Sequence, residues 1–175
     1  YHLQPKIRLG LAQPILFGDN QYLSPKLYKE VAQSVLINAY HANLENIQLE
    51  FDCGFVRCMF TKEEWHQLDS FGVVTECHCA PNLDIDCEGR VFHCFSLSQI
   101  SSPLNQHQKI NDAFEFIQDQ RKLFRESGIY PKCSICQERI NGHCSGGCLS
   151  ITMRRFHGLT PAFMDEFFRG HPSQS

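Results

Sequence analysis

Cys133-Ser134-Ile135-Cys136-Gln137-Glu138-Arg139-Ile140-Asn141-Gly142-His143-Cys144-Ser145-Gly146-Gly147-Cys148 decides how the rest of the chain is read. The run is rich in Cys and Gly, which predicts irregular backbone folded around whatever the cysteines bind. Its spacing is CxxC, seven residues, Cys, three residues, Cys. A CxxC loop lets two sulfurs point at one metal, because the intervening turn frees the backbone from regular structure. Gly146 and Gly147 have no Cβ, so the main chain there can pass close to a bulky inorganic core. Their N–H groups can donate to cluster sulfurs.

A second block lies upstream. Cys77-x-Cys79 is followed by nine residues, Gly89, four residues and Cys94. Leu83 to Asp86 and Arg90 to Phe95 read as two strands joined at Cys87-Glu88-Gly89, where Gly89 supplies the positive φ of a tight turn. Such a hairpin would place Cys79 and Cys94 across from each other. Cys87, in the turn, reads as a spare thiol.

The whole chain holds ten Cys in 175 residues, so cysteine chemistry governs its reading. Disulfides, structural zinc and iron–sulfur clusters compete. Nothing points to an oxidising compartment: the opening residues lack a charged region followed by an apolar stretch, and a cytoplasmic chain is expected. A hydrophobic share of 42% with 14 Phe supports a real core. The net charge of −3 and the lack of a basic run argue against nucleic acid as a partner. No window of about 18 apolar residues predicts a membrane span.

The first 72 residues read differently from the rest. Lys6 to Ala12 reads as a buried strand. Ser24 suits an N-cap and Pro25 a first helical position, with Leu27, Val31, Val35 and Ala39 recurring at helical spacing. Asn46 to Phe51 alternates as a second strand and leads into Cys53-Gly54-Phe55-Val56-Arg57-Cys58. Thr61 and Glu64 match a capping box for a short helix through Leu68. Strand, helix, strand implies parallel pairing. Beyond the hairpin, Ser96 to Gln108 reads as a polar loop and Asn111 to Ser127 as a helix. Phe114, Ile117, Arg121 and Phe124 form its stripe and Gly128 its C-cap. A last helix is expected from Thr160 to Gly170.

The cysteine order resembles the SPASM domain of radical SAM enzymes, from about Cys77 to Ser150. Cys79, Gly89 and Cys94 match its hairpin, with Cys79-Ala80-Pro81 and Asp84-Ile85-Asp86 around it. Cys133, Cys136, Cys144 and Cys148 match its closing block, although seven residues separate Cys136 from Cys144 where the family has fewer. The resemblance implies an α+β chain: residues 1–72 as the end of a radical SAM partial (β/α) barrel, residues 73–175 as a small domain of hairpin, helix and irregular cluster-binding loops. It implies one or two auxiliary [4Fe–4S] clusters. The first would take Cys79, Cys94 and Cys148 plus one of Cys77, Cys58 or Cys53. The second would take Cys133, Cys136 and Cys144. The family's further ligand lies downstream, and no Cys follows Cys148, so that site is open, uses His143 or His157, or is absent. A third arrangement puts Cys133, Cys136, Cys144 and Cys148 on one metal, with Cys53 or Cys58 completing the other site.

Radical SAM chemistry needs CxxxCxxC, and this chain has no such triplet: Ile151 stands where Cys144-x3-Cys148 would need its third Cys. The chain therefore reads as the C-terminal part of a longer enzyme. Its implied partners are the N-terminal radical SAM portion, a peptide or small carbon substrate, and a reductant such as ferredoxin or flavodoxin. Arg8 is a candidate contact for S-adenosylmethionine in the intact enzyme. The competing reading is non-catalytic, a zinc-stabilised interaction module. Spacing alone leaves zinc and iron–sulfur level, and the hairpin with its flanking residues favours iron–sulfur.

Overall fold

A computed structural model describes residues 5–75, 79 and 82–156. Strand β1 (Lys6–Leu9) and strand β2 (Gln48–Phe51) pair in parallel, with Lys6 opposite Gln48 and Leu9 opposite Phe51. Parallel neighbours need a crossover, and helix α1 (Tyr28–Leu44) lies between them in sequence. On the far side of β2, Glu50 bridges in parallel to Val74.

Ser24 caps as expected, its hydroxyl accepting from the Lys26 N–H, but Pro25–Leu27 forms a 3-10 turn ahead of α1. That tighter turn shifts the phase. The buried stripe is Tyr28, Ala32, Val35, Ala39 and Ala42, and Leu27 stands exposed. The expected burial of the first strand is also corrected. Ile7 is 45% exposed, because β1 is the edge of its sheet and parallel strands are buried only when covered on both sides. Strand β2 does alternate, with Leu49 and Phe51 inside.

Helix α2 (Lys62–Ser70) opens on a complete capping box. The Glu64 N–H donates to Thr61 Oγ1 at 3.2 Å, and the Thr61 N–H donates to Glu64 Oε2 at 2.6 Å.

The hairpin forms strands β3 (Asp84–Ile85) and β4 (Arg90–Phe92), with Gly89 at φ +74. Asp86 accepts from the Glu88 and Arg90 N–H groups and from Arg90 Nε, which holds its carboxyl below the usual range. The expected polar loop contains a third strand, β5 (Ser101–Pro103), antiparallel to β4. Its polar sequence carries no apolar alternation; the pairing with β4 makes it a strand.

Helix α3 (Ile110–Ser127) ends at Gly128 with φ +65. Its buried side chains include Ala113, Ile117, Arg121 and Phe124. The Cys133–Cys148 run is more regular than expected. A 3-10 turn spans Pro131–Ile135 and helix α4 spans Gln137–Ile140 before the chain becomes irregular. Helix α5 (Leu149–Arg155), not foreseen from the sequence, follows Cys148 directly and packs on α3. The helix expected from Thr160 to Gly170 lies outside the described residues.

One buried cluster joins α1, β2 and α2 to Ile129, Cys144, Cys148 and Ile151. A second joins Leu16 and Leu97 to Phe124, Leu149 and Met153. The fold class is α+β. No helix among the described residues is long and apolar enough to cross a membrane.

Candidate metal centre

The described cysteines divide into two groups and one outlier. The first group is Cys53, Cys79, Cys94 and Cys148. Cys53 follows β2, Cys94 follows β4, and Cys148 is the N-cap of α5. Their thiols lie within electrostatic reach of one another. Cys53 and Cys148 are hydrogen-bonded to each other. The hydrogen bond from Cys53, the Ser150 hydroxyl (3.1 Å) and the N–H groups of Ile151 and Ser150 hold Cys148 below the ordinary thiol range. The same bond, with burial, pushes Cys53 up. Burial, then the neighbouring Cys148 and Cys79, push Cys94 up to about 11.

Cys79 is tied down from three sides. Its N–H donates to Ser145 Oγ at 3.3 Å, and its carbonyl accepts from Arg125 Nη2 at 3.0 Å. Its Sγ stands 3.6 Å from His93 Nε2. His93 is buried, and its Nδ1 meets Arg121 Nη1, with the Asn82 carbonyl 3.2 Å away. A guanidinium can only donate to Nδ1 and a carbonyl can only accept from it, so the Arg121 and Asn82 contacts call for opposite tautomers of the ring. Burial, then the Arg121 charge, lower the His93 pKa to about 4, so the ring is neutral at pH 7.

The second group is Cys58, Cys133, Cys136 and Cys144, which together line a cavity of about 240 Å³. Cys133 and Cys144 are buried and Cys136 half-buried. The Gly146 N–H donates to Cys144 Sγ at 3.4 Å. Arg139 Nε donates to the Cys133 carbonyl at 2.6 Å and its Nη2 to the Ser134 carbonyl at 3.2 Å, which fixes the CxxC turn. Cys58 is exposed and lies in the 3-10 turn Arg57–Met59. The residue as a whole is exposed, but protein packed around its sulfur raises the thiol, with Cys133 and Cys144 adding to the rise.

Gly146 and Gly147 adopt φ +81 and +88. They were expected to clear space for an inorganic core. The clearance instead serves the protein: a Cβ on Gly147 would stand 2.8 Å from Ile129 Cγ2, and one on Gly146 would stand 3.2 Å from Gly128 Cα.

The remaining candidates fall elsewhere. Cys87 is exposed in the β3–β4 turn. Cys77 and His157 lie outside the described residues. His143 Nδ1 is 3.5 Å from Glu138 Oε2, and His143 does not line the cavity. Arg8 Nε lies 3.3 Å from Glu50 Oε2, beside Lys6 Nζ at 2.6 Å. Among the described residues, no three His, Cys, Asp or Glu side chains close on a point at ion-binding spacing.

Sequence reasoning placed Arg121 on the stripe of its helix without asking what a cation does there. It is 3% exposed, and among the described residues no carboxylate reaches it. Its Nη2 meets Gln118 Oε1, while its Nε, like Arg125 Nη1 and Gln118 Nε2, is buried without an acceptor. These three residues line a cavity of about 470 Å³ that Cys79 and Cys144 also line. The charges nearest Arg121 are Arg125 and the thiols of Cys79 and Cys94. A buried cation beside sulfurs, with donors to spare, fits thiolates and an anionic cluster. The signal was present in the sequence as a charged residue on a buried helical stripe.

Comparison with known proteins gives no match, whether to a protein-family model, a curated protein or a solved structure.

Proposed function

We propose that this chain is the auxiliary-cluster portion of a radical SAM enzyme of the SPASM type, with Cys53, Cys79, Cys94 and Cys148 holding one [4Fe–4S] cluster. Cys133, Cys136 and Cys144 serve a second. The observation that carries this reading is the division of the cysteines. Residues almost a hundred positions apart fall into two separate sets, and the turn thiol Cys87 falls into neither.

Room between the sulfurs favours a cluster over a single ion. Zinc sits about 2.3 Å from each thiolate and fills the tetrahedron they form. An iron–sulfur cube takes its cysteines at separate corners and needs a cavity between them, and the cavity of about 240 Å³ supplies one. When bound, such clusters pass single electrons or present an iron to a substrate. The chain's own groups fit that use. The His93 ring stands beside Cys79 Sγ, the Gly146 N–H directs itself at Cys144, and Arg121 and Arg125 hold positive charge nearby.

The open edge of β1 supports the barrel half of the reading, because a preceding strand could pair there. In the parent enzyme this chain would work with an N-terminal radical SAM portion that binds S-adenosylmethionine. The parent would act on a peptide, protein or small carbon substrate and draw electrons from a ferredoxin or flavodoxin.

The test is metal analysis of anaerobically reconstituted protein. The expected result is a brown chain absorbing at about 400 nm, with about eight irons and matching acid-labile sulfide. A colourless protein with one or two zinc ions would sink the reading in favour of a zinc-stabilised interaction module. Substituting Cys94→Ala is expected to remove about four irons, one cluster's worth; unchanged iron refutes that ligand.

A further inference from the structure

We propose that Cys58 is the fourth ligand of the second site, so that Cys58, Cys133, Cys136 and Cys144 form a closed all-cysteine set. This rests on the cluster reading above and completes it. No cysteine lies between positions 149 and 175, and Cys148 stands with the first group, so within these 175 residues a fourth thiolate is sought upstream.

The structure brings Cys58 to the place required. It lines the same cavity as Cys133, Cys136 and Cys144. The turn that carries it is fixed rather than loose. Val56 and Met59, on either side, are 2% and 1% exposed. The Arg57 carbonyl accepts from Trp65 Nε1 at 2.9 Å, and the Arg57 guanidinium lies 4.2 Å from the centre of the Trp65 ring. Arg57 Nε reaches Glu138 Oε2 on α4 at 3.5 Å, so the turn is joined to the loop that bears the other three sulfurs.

Rival donors are engaged elsewhere. Glu138 lines the cavity but pairs with Arg57 and His143. Cys53, the nearest other cysteine in sequence, does not line this cavity and is hydrogen-bonded to Cys148 in the first group. Gly54, at φ +100, turns the chain between Cys53 and Cys58. One short segment therefore supplies a ligand to each site. A second site with four thiolates has no open iron, so it serves electron transfer and not substrate anchoring.

The experiment compares the reconstituted wild-type chain with Cys58→Ala, Cys58→Ser and His143→Ala by iron content, sulfide content and EPR. The wild type is expected to hold about eight irons, and Cys58→Ala to fall to about four, or to about seven with a three-iron EPR signal. Cys58→Ser is expected to keep its iron with an altered EPR spectrum, because a hydroxylate can replace the thiolate. His143→Ala should match wild type. Circular dichroism of the apoproteins checks that the variants fold; the serine variant decides the matter if the alanine variant does not. A loaded wild type with Cys58→Ala and Cys58→Ser both unchanged overturns the assignment and leaves the cluster reading standing. A wild type that takes up no iron overturns both.

Discussion

Arg121 carries more information about the site than any single cysteine. A guanidinium buried without a carboxylate costs several kcal/mol unless an anion answers it, and the sulfurs beside it, Cys79 and Cys94, would answer it as the thiolates of a bound cluster. The expected outcome for Arg121→Met is therefore split. The apoprotein should melt at a higher temperature than wild type, because an unanswered charge is gone. The first cluster should become harder to reduce, because a nearby cation favours the more negative state. A Coulomb term of about 1 kcal/mol corresponds to a downward shift on the order of 40 mV for one electron. Thermal melting and an EPR redox titration check the two halves; a destabilised apoprotein or an upward shift contradicts the argument. At this scale the sequence named the candidate cysteines but not their grouping. The Cys53–Cys148 contact links residues far apart in the chain, and no local spacing encodes such a contact.

At the scale of elements, the β1–β2 and β3–β4 pairings and the caps are legible in the sequence, and elements held only by a partner are not. The capping box at Thr61 is written in four residues and forms as expected. Removing it by Thr61→Ala should cost about 1 kcal/mol in a urea melt. Strand β5 and helix α5 were missed because their sequences lack an apolar period; β4 and α3 give them their partners. The phase of α1 was misjudged because a 3-10 turn precedes it. Gly128 is the element boundary with the tightest tolerance. A Cβ there would meet Cys133 Cβ at 2.5 Å and its Sγ at 2.9 Å, at φ +65. Gly128→Ala should destabilise the fold by roughly 1–3 kcal/mol. It should also lower iron in the second site before the first, as EPR would show.

At the scale of the whole molecule, Tyr130 ties the later half of the chain to the earlier one. Its hydroxyl donates to the Pro25 carbonyl at 2.9 Å across 105 positions of sequence. Burial, then Cys58 and Cys133, push its phenol up to about 12 from an ordinary 10.0. The folded apoprotein therefore keeps a proton that the unfolded chain loses above pH 10. The contribution is complete below about pH 10 and is lost as pH rises through about 12. Tyr130→Phe should lose about 1 kcal/mol at neutral pH and show a flatter decline over that alkaline window, measured by denaturant melts across pH. The sequence marked the strand–helix–strand order and the hairpin. The single buried cluster that joins α1 and β2 to Cys144 and Cys148 depends on packing that only the folded chain displays.

The short passage from Cys53 to Cys58 also sets a ruler. Five residue steps cannot span more than about 18 Å even when fully extended, and this stretch is bent at Gly54 and coiled at Arg57–Met59. With one sulfur of each set fixed to its ends, the two sites are tethered at a separation the chain cannot exceed. If both sites hold the proposed clusters, an electron leaving one finds the other within the same molecule, at a distance held by covalent bonds, with no carrier to wait for. Lengthening that tether by inserted glycines should slow electron exchange between the sites before it disturbs either one.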